Sequence, residues 1–174
     1  MKYFTRAWTR GESDKKCART SMRYVRRLQT IWSRLPRSMQ RLARRISIHD
    51  GRPRGGFYDS VAGLLELRLR CDDRQGGEID LVLRYHAAEF VLGDGPELSD
   101  ILNDPETEFY YDEVDLRRDS RLEHRVLFFP RGEVAIRFRR LGLVRTPPRL
   151  SRSGGRAARF VVRPPLRRRG TRTS

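Results

Sequence analysis

The sequence predicts an α+β fold in which two N-terminal amphipathic helices pack on an antiparallel sheet of about five strands. Apolar residues recur every three or four positions between residues 13 and 48, and they alternate with polar residues between 60 and 144. These are the periods of a helix face and of a half-buried strand. From residue 146 onwards the sequence is rich in arginine and proline. We therefore expect a single domain over residues 1–145, with a helical part over 13–48 and a sheet part over 60–144, followed by a disordered Arg/Pro-rich tail over 146–174.

Two helices account for the first apolar period. Ser13 can cap the first helix, and Pro36, which has no amide hydrogen, ends or kinks it. The apolar stripe expected to pack on the sheet consists of Ala18, Met22, Val25, Leu28, Ile31, Trp32 and Leu35. Ser38 can cap a second, shorter helix, which is expected to stop near His49-Asp50-Gly51.

Five strands account for the second period. They are expected over residues 65–71, 79–85, 108–116, 122–129 and 133–141. The last two flank Pro130-Arg131-Gly132, a short connection in which glycine allows the backbone to turn, so they are expected to form a β-hairpin. A single helical turn is expected over 98–102.

Charge is unevenly distributed along the chain. The net charge is +16, and 35 of the 38 cationic residues are arginine. Residues 1–46 carry fourteen cationic side chains against two acidic ones, and residues 145–174 carry ten arginines and no acid, whereas residues 47–144 are net acidic. Basic ends of this kind can attract an anionic partner, or they can contact the acidic stretch over 94–119 of the same chain. We favour codon bias in a GC-rich genome as the origin of the arginines themselves.

The leading functional hypothesis is a non-enzymatic domain that contacts another protein, because no catalytic, metal-binding or nucleotide-binding pattern stands out. No small-molecule site is evident, and we expect no cofactor. The alternative hypothesis is nucleic-acid binding through the tail and a basic helical face. The candidate contacts on that face are Arg19, Arg23, Arg26, Arg27, Arg34, Arg41 and Arg45.

His49 and Asp50 are weak candidates for a polar site, since a His-Asp pair can ligate a divalent metal. The preferred interpretation is structural: histidine suits the negative C-terminal end of a helix, and Asp-Gly favours a turn. His86 and His124 are expected on the solvent side of their strands, without a role.

The sequence predicts a cytoplasmic protein. It has no apolar run long enough to cross a membrane, no apolar leader after Met1, and only two cysteines, Cys17 and Cys71.

Three segments carry a resemblance to a known family. They are the opening Met1-Lys-Tyr-Phe-Thr-x-x-Trp8, the helical pattern from Tyr24 to Pro36 with Ile46-x-Ile-His49-Asp50-Gly51 after it, and Gly132-Glu133-x-x-Ile136-x-Phe138. Together they resemble a family of bacterial proteins that begin with this same MKYFT…W signature and have no assigned activity. The resemblance covers about residues 1–145 and implies a fold and a bacterial origin.

Overall fold

A computed structural model describes residues 1–10, 13–73, 77–92, 97–148 and 159–163. Its helices are α1 (Arg6–Thr9), α2 (Asp14–Ile31), a 3-10 turn (Trp32–Arg34), α3 (Arg37–Arg45) and α4 (Leu98–Asn103). Ser13 and Pro36 stand at the N-terminal ends of α2 and α3. No helix in the described part of the chain is both long enough and apolar enough to span a membrane. The helical turn expected over 98–102 is confirmed as α4.

Within the described residues, nine strands form one continuous hydrogen-bonded sheet in the order β4-β7-β6-β5-β1-β2-β3-β8, and β9 pairs with β1 outside this order. Their bounds are β1 (Ile46–Asp59), β2 (Leu64–Asp73), β3 (Gly77–His86), β4 (Glu89–Leu92), β5 (Glu108–Leu116), β6 (Leu122–Phe129), β7 (Glu133–Phe138), β8 (Arg140–Thr146) and β9 (Phe160–Arg163). All pairs are antiparallel except that of β1 with β9. The α+β class, the antiparallel sheet and the β6–β7 hairpin are therefore confirmed. The expected counts of two helices and five strands are wrong.

The core lies between two halves of the sheet, which meet where Gly51 of β1 pairs with Phe109 of β5. The Tyr85 ring of β3 lies 5.0 Å from the Phe138 ring of β7, so the inner face of one half packs on the inner face of the other. Alternate residues of β2 and β3 are buried, as their period of two predicts. Helix α3 adds Met39 and Leu42 to this core.

The buried face of α2 differs from the expected one. Met22 and Val25 are 55% and 50% exposed, whereas Tyr24 and Leu28 are partly buried and Ile31 is fully buried. The helix is thus rotated so that Tyr24 points to the sheet. Its hydroxyl accepts a hydrogen bond from the Val114 amide of β5 at 2.7 Å, and a valine side chain cannot make that contact.

Strand β1 corrects the expected end of the second helix. Helix α3 ends at Arg45, and residues 46–59 form a strand that bulges twice in its pairing with β2. Gly56 allows the second bulge, since a Cβ there would lie 2.1 Å from the Glu66 carbonyl oxygen. The bulges disrupt the period-two pattern, and for that reason no strand was expected before residue 60.

The expected disorder of the tail is wrong for Phe160–Arg163. This segment forms β9, and the Phe160 side chain is buried in the core. The Asn103 side chain both donates to the Phe160 carbonyl at 3.1 Å and accepts from its amide at 2.9 Å. Strand β8 also extends the sheet to Thr146. The rest of the predicted tail, over 149–158 and 164–174, lies outside the described residues.

The opening segment of the chain is held by β5 and by the β6–β7 hairpin. The buried Glu113 carboxylate accepts hydrogen bonds from the backbone amides of Lys2, Tyr3 and Phe4 at 2.6–3.0 Å. The Arg6 guanidinium donates to three carbonyls of the hairpin, those of Phe128, Pro130 and Gly132. Thr5 caps α1 by accepting from the Trp8 amide. The distinctive opening motif therefore has a structural role.

Candidate functional site

The solvent-facing side of α2 is basic. Arg19, Arg23 and Arg26 are all exposed, and their spacing of four and three residues puts them on one face of the helix. The face covers about 10 Å along the helix axis at 1.5 Å per residue. Arg19 and Arg23 also border a shallow cavity of about 220 Å³ together with Lys16 and Thr20.

Helix α3 presents a second row of exposed arginines. Its apolar side chains, Met39 and Leu42, point to the core, so the opposite face projects into solvent. The exposed arginines of this region are Arg34, Arg37, Arg41, Arg44 and Arg45. The two rows together contain six of the seven predicted contacts, all of them exposed.

Arginines of the sheet differ from those of the helices because most of them are paired. In the described part of the chain, ion pairs to carboxylates are made by six strand residues, Arg52, Arg68, Arg70, Arg84, Arg125 and Arg137, and also by Arg117 and Arg121 of the turn between β5 and β6. Buried Glu123 alone contacts three of them, and buried Glu66 contacts two. None of the eight exposed helical arginines pairs with a carboxylate of the described residues. The exposed helical charge is therefore uncompensated by these neighbours.

Arg27 is the exception among the predicted contacts. Its guanidinium pairs with Asp115 of β5 at 2.7 Å and donates to the Leu116 carbonyl at 2.9 Å. Tyr24 faces the sheet, and Arg27 lies three residues later on the same side of α2, so Arg27 also faces the sheet. The acidic stretch thus neutralises one helical arginine, which removes Arg27 from the basic face. The basic helical face is hereafter Arg19, Arg23, Arg26, Arg34, Arg41 and Arg45.

His49 and Asp50 lie at the first bulge of β1, so their assignment to a helix end is wrong. The His49 ring stacks on Tyr110 with centroids 5.6 Å apart, and its Nδ1 contacts the Tyr110 carbonyl. Asp50 has a φ of 58°, a left-handed conformation that a short polar side chain tolerates. The His49 Nε2 to Asp50 Oδ1 distance of 3.6 Å is that of a loose, exposed pair.

A polar cavity of about 370 Å³ adjoins this bulge. Its walls mix cationic and acidic side chains from β1, β2 and β3, including Arg54, Arg70 and Glu78. Burial raises the pKa of the Cys71 thiol in its wall to about 12, so this thiol is not a ready nucleophile. Within the described ranges, no three His, Cys, Asp or Glu side chains are arranged to hold a metal ion.

An interior polar chain was missed by the sequence analysis. His124 is fully buried, contrary to its expected position on the solvent side of β6. The Tyr85 hydroxyl lies 2.8 Å from its Nδ1, and Asp112 Oδ2 lies 3.2 Å from its Nε2. Strand alternation could have placed it, because it shares a face with buried Leu122 and Val126.

The hydrogen bonds define the direction of this chain. Burial holds the pKa of the Tyr85 phenol well above its usual range, so the phenol stays protonated and can donate to Nδ1. A carboxylate only accepts hydrogen bonds, so the tautomer that fits both contacts has its proton on Nε2 towards Asp112 and leaves Nδ1 to accept from Tyr85. Both ring nitrogens of His124 therefore have a hydrogen-bond partner, and the contact with His124 fixes the orientation of the Asp112 side chain.

Comparison with known proteins does not add a function. No family model, curated protein or solved structure matches the chain. The resemblance based on the opening motif therefore stays a prediction, and the function is argued from the geometry alone.

Proposed function

We propose that the protein binds nucleic acid through the phosphate backbone, using the basic helical face. The observation that carries the proposal is the contrast between two sets of arginines. Most of those on the strands pair with carboxylates, whereas the arginines of α2 and α3 other than Arg27 are exposed and have no carboxylate partner among the described residues. Guanidinium groups contact phosphate oxygens in a bidentate manner, and unpaired ones need not first break an internal ion pair.

The chemistry supports affinity more than sequence selectivity. Contacts from arginine to phosphate release counterions and position a protein without reading bases. The further arginines of residues 145–174 add positive charge to the same chain. A protein partner, the leading hypothesis from the sequence, would have to supply a large acidic surface to fit this face.

The test is the salt dependence of binding to labelled single-stranded and duplex oligonucleotides, measured by fluorescence anisotropy. We expect a triple variant, Arg19→Gln, Arg23→Gln and Arg26→Gln, to bind more weakly. If each arginine neutralises one phosphate of duplex DNA, the slope of log K against log salt falls by roughly 2.7.

The matched control removes the same charge elsewhere. Arg118, Arg131 and Arg139 are exposed and lie outside the helices, and none pairs with a described carboxylate. Their triple Gln variant should bind almost as the original protein does. Equal losses in the two variants would mean that net charge alone is responsible. Absence of binding at about 50 mM salt, where phosphate contacts are strong, would reject nucleic acid in favour of an acidic protein partner.

A further inference from the structure

Another cavity lies between α2, the end of α3 and the sheet, and its lining is apolar and aromatic rather than basic. Its volume is about 420 Å³, within the range of small-molecule sites. Leu28, Leu42 and Ile46 form an apolar wall. We call it the α2–α3 cavity.

Aromatic rings line much of the α2–α3 cavity. Phe4 lies 5.2 Å from Tyr24 and 5.7 Å from Tyr111, and Tyr111 lies 4.8 Å from His49, measured between ring centroids. These four rings belong to four separate parts of the chain: the opening segment, α2, β5 and β1. They are therefore brought together only by the complete fold. The face of an aromatic ring is electron-rich and attracts cations.

One carboxylate completes the lining. Asp112 is 27% exposed, and its Oδ2 is occupied by His124. Its Oδ1 accepts no hydrogen bond from any residue that the structure describes, although a carboxylate accepts several. The Tyr85–His124 pair holds this side chain in place from the interior. A carboxylate that is held on one side and accepts no hydrogen bond at Oδ1 from the described residues thus borders a cavity lined by rings.

We propose that the α2–α3 cavity binds a small organic ammonium ion, with the cation against the rings of Phe4, Tyr24 and Tyr111 and its charge near Asp112. A metal ion fits less well, because hard cations need several oxygen ligands and the lining supplies one carboxylate. An anion is disfavoured by the same carboxylate. The site is separate from the proposed nucleic-acid surface and does not depend on it.

Choline and its neutral isostere 3,3-dimethyl-1-butanol provide the test, because they share a shape and differ in charge. Trp8 is a natural reporter, since its ring lies 5.0 Å from those of Phe4 and Tyr111, and its fluorescence would follow each titration. We expect choline to bind about five- to thirtyfold more tightly than the alcohol, as a cation–π contact with a carboxylate partner implies. Equal affinities, or no saturation by choline in the millimolar range, would overturn the proposal.

Asp112→Asn tests the role of the carboxylate. The amide oxygen can still accept from His124, so the variant keeps the interior hydrogen bond and loses only the charge. We expect its preference for choline over the alcohol to fall to the part that the rings alone supply, whereas Asp119→Asn, at an exposed turn, keeps the full preference. A variant at Asp112 that retains the full preference would contradict the site.

Salt separates this inference from the proposed function. Choline would contact one partly buried carboxylate, which salt screens only weakly, so its affinity should change little with added salt. Nucleic-acid affinity should fall under the same conditions. Loss of one activity with retention of the other would identify which proposal fails.

Discussion

Tyr24 links α2 to the sheet through a single hydrogen bond and a ring cluster. Its hydroxyl accepts a hydrogen bond from the Val114 amide, at a part of β5 beyond its pairing with β1 at Phe109. The Tyr24 ring also lies 5.3 Å from the Tyr3 ring, measured between centroids. Burial holds the pKa of this phenol well above its usual range, so it is uncharged across physiological pH. The same residue explains why α2 is rotated relative to its apolar stripe.

Tyr24→Phe is expected to lower the free energy of unfolding by about 1–3 kcal/mol, because the Val114 amide is left without a partner in a partly buried position. Chemical denaturation measures the change. Tyr110→Phe is the control, since the Tyr110 hydroxyl makes no hydrogen bond with the described residues. Equal stabilities for the two variants would show that water replaces the hydroxyl at no cost.

Single residues also show what sequence patterns could predict. The position of His124 follows from alternation along β6, although histidine is more often only partly buried in folded proteins. Its partners could not be predicted, because Tyr85 and Asp112 lie 39 and 12 residues away in sequence, on other strands, and only the folded arrangement brings them together. The α2–α3 cavity is equally non-local, since its rings come from four elements.

Elements with regular alternation were predicted well, and irregular ones were not. Strand β6 has the bounds that the sequence predicted, because its sequence alternates and Pro130 directly follows it. Strand β5 also has its predicted bounds, in spite of a register shift between Phe109 and Tyr111. Strand β1 was missed because its bulges break the period. Strand β9 was missed because three apolar residues are too few to indicate a strand until a preformed edge of β1 is available to pair with them.

Phe160→Ala is expected to destabilise the protein by up to about 3–5 kcal/mol, the usual cost of removing a buried phenylalanine. The loss of stability cannot exceed the free energy with which β9 binds to the rest of the fold, because this four-residue strand can separate from β1 while the remaining sheet stays folded. Thermal and chemical unfolding would measure it, with Val161→Ala as a half-exposed control expected to change stability by about 0.5 kcal/mol or less. A harmless Phe160→Ala would mean that β9 contributes nothing to the core.

Across the whole molecule, buried and exposed charges have different roles. Buried carboxylates such as Glu113, Glu66 and Glu123 hold sheet arginines and the opening segment, whereas the helical arginines carry exposed charge. Sequence counts predicted the asymmetry between the ends and the middle of the chain. They could not predict which arginines pair, because that depends on strand register.

Moderate sodium chloride is therefore expected to raise the melting temperature. Salt screens repulsion among exposed arginines more than it weakens buried pairs. A gain of about 1 kcal/mol corresponds to a rise of about 2–4 °C for a protein of this size. Differential scanning calorimetry can follow the effect, which should be smaller in the Arg19/Arg23/Arg26→Gln variant than in the Arg118/Arg131/Arg139→Gln control. A melting temperature that falls with salt would indicate that attractive surface pairs dominate.

The parallel pairing of β9 with β1 affects how the protein is completed on the ribosome. Gly56 of β1 pairs opposite Phe160, so one row of backbone groups of β1 and one side of the core lack their partner until residues 160–163 have been synthesised. Once β1 to β8 of a nascent chain have emerged from the ribosome, the two halves of the sheet can form, because the pairings among these eight strands do not involve β9. Until Phe160 emerges, however, that chain has an open strand edge, the kind of surface through which nascent proteins associate with one another or with chaperones.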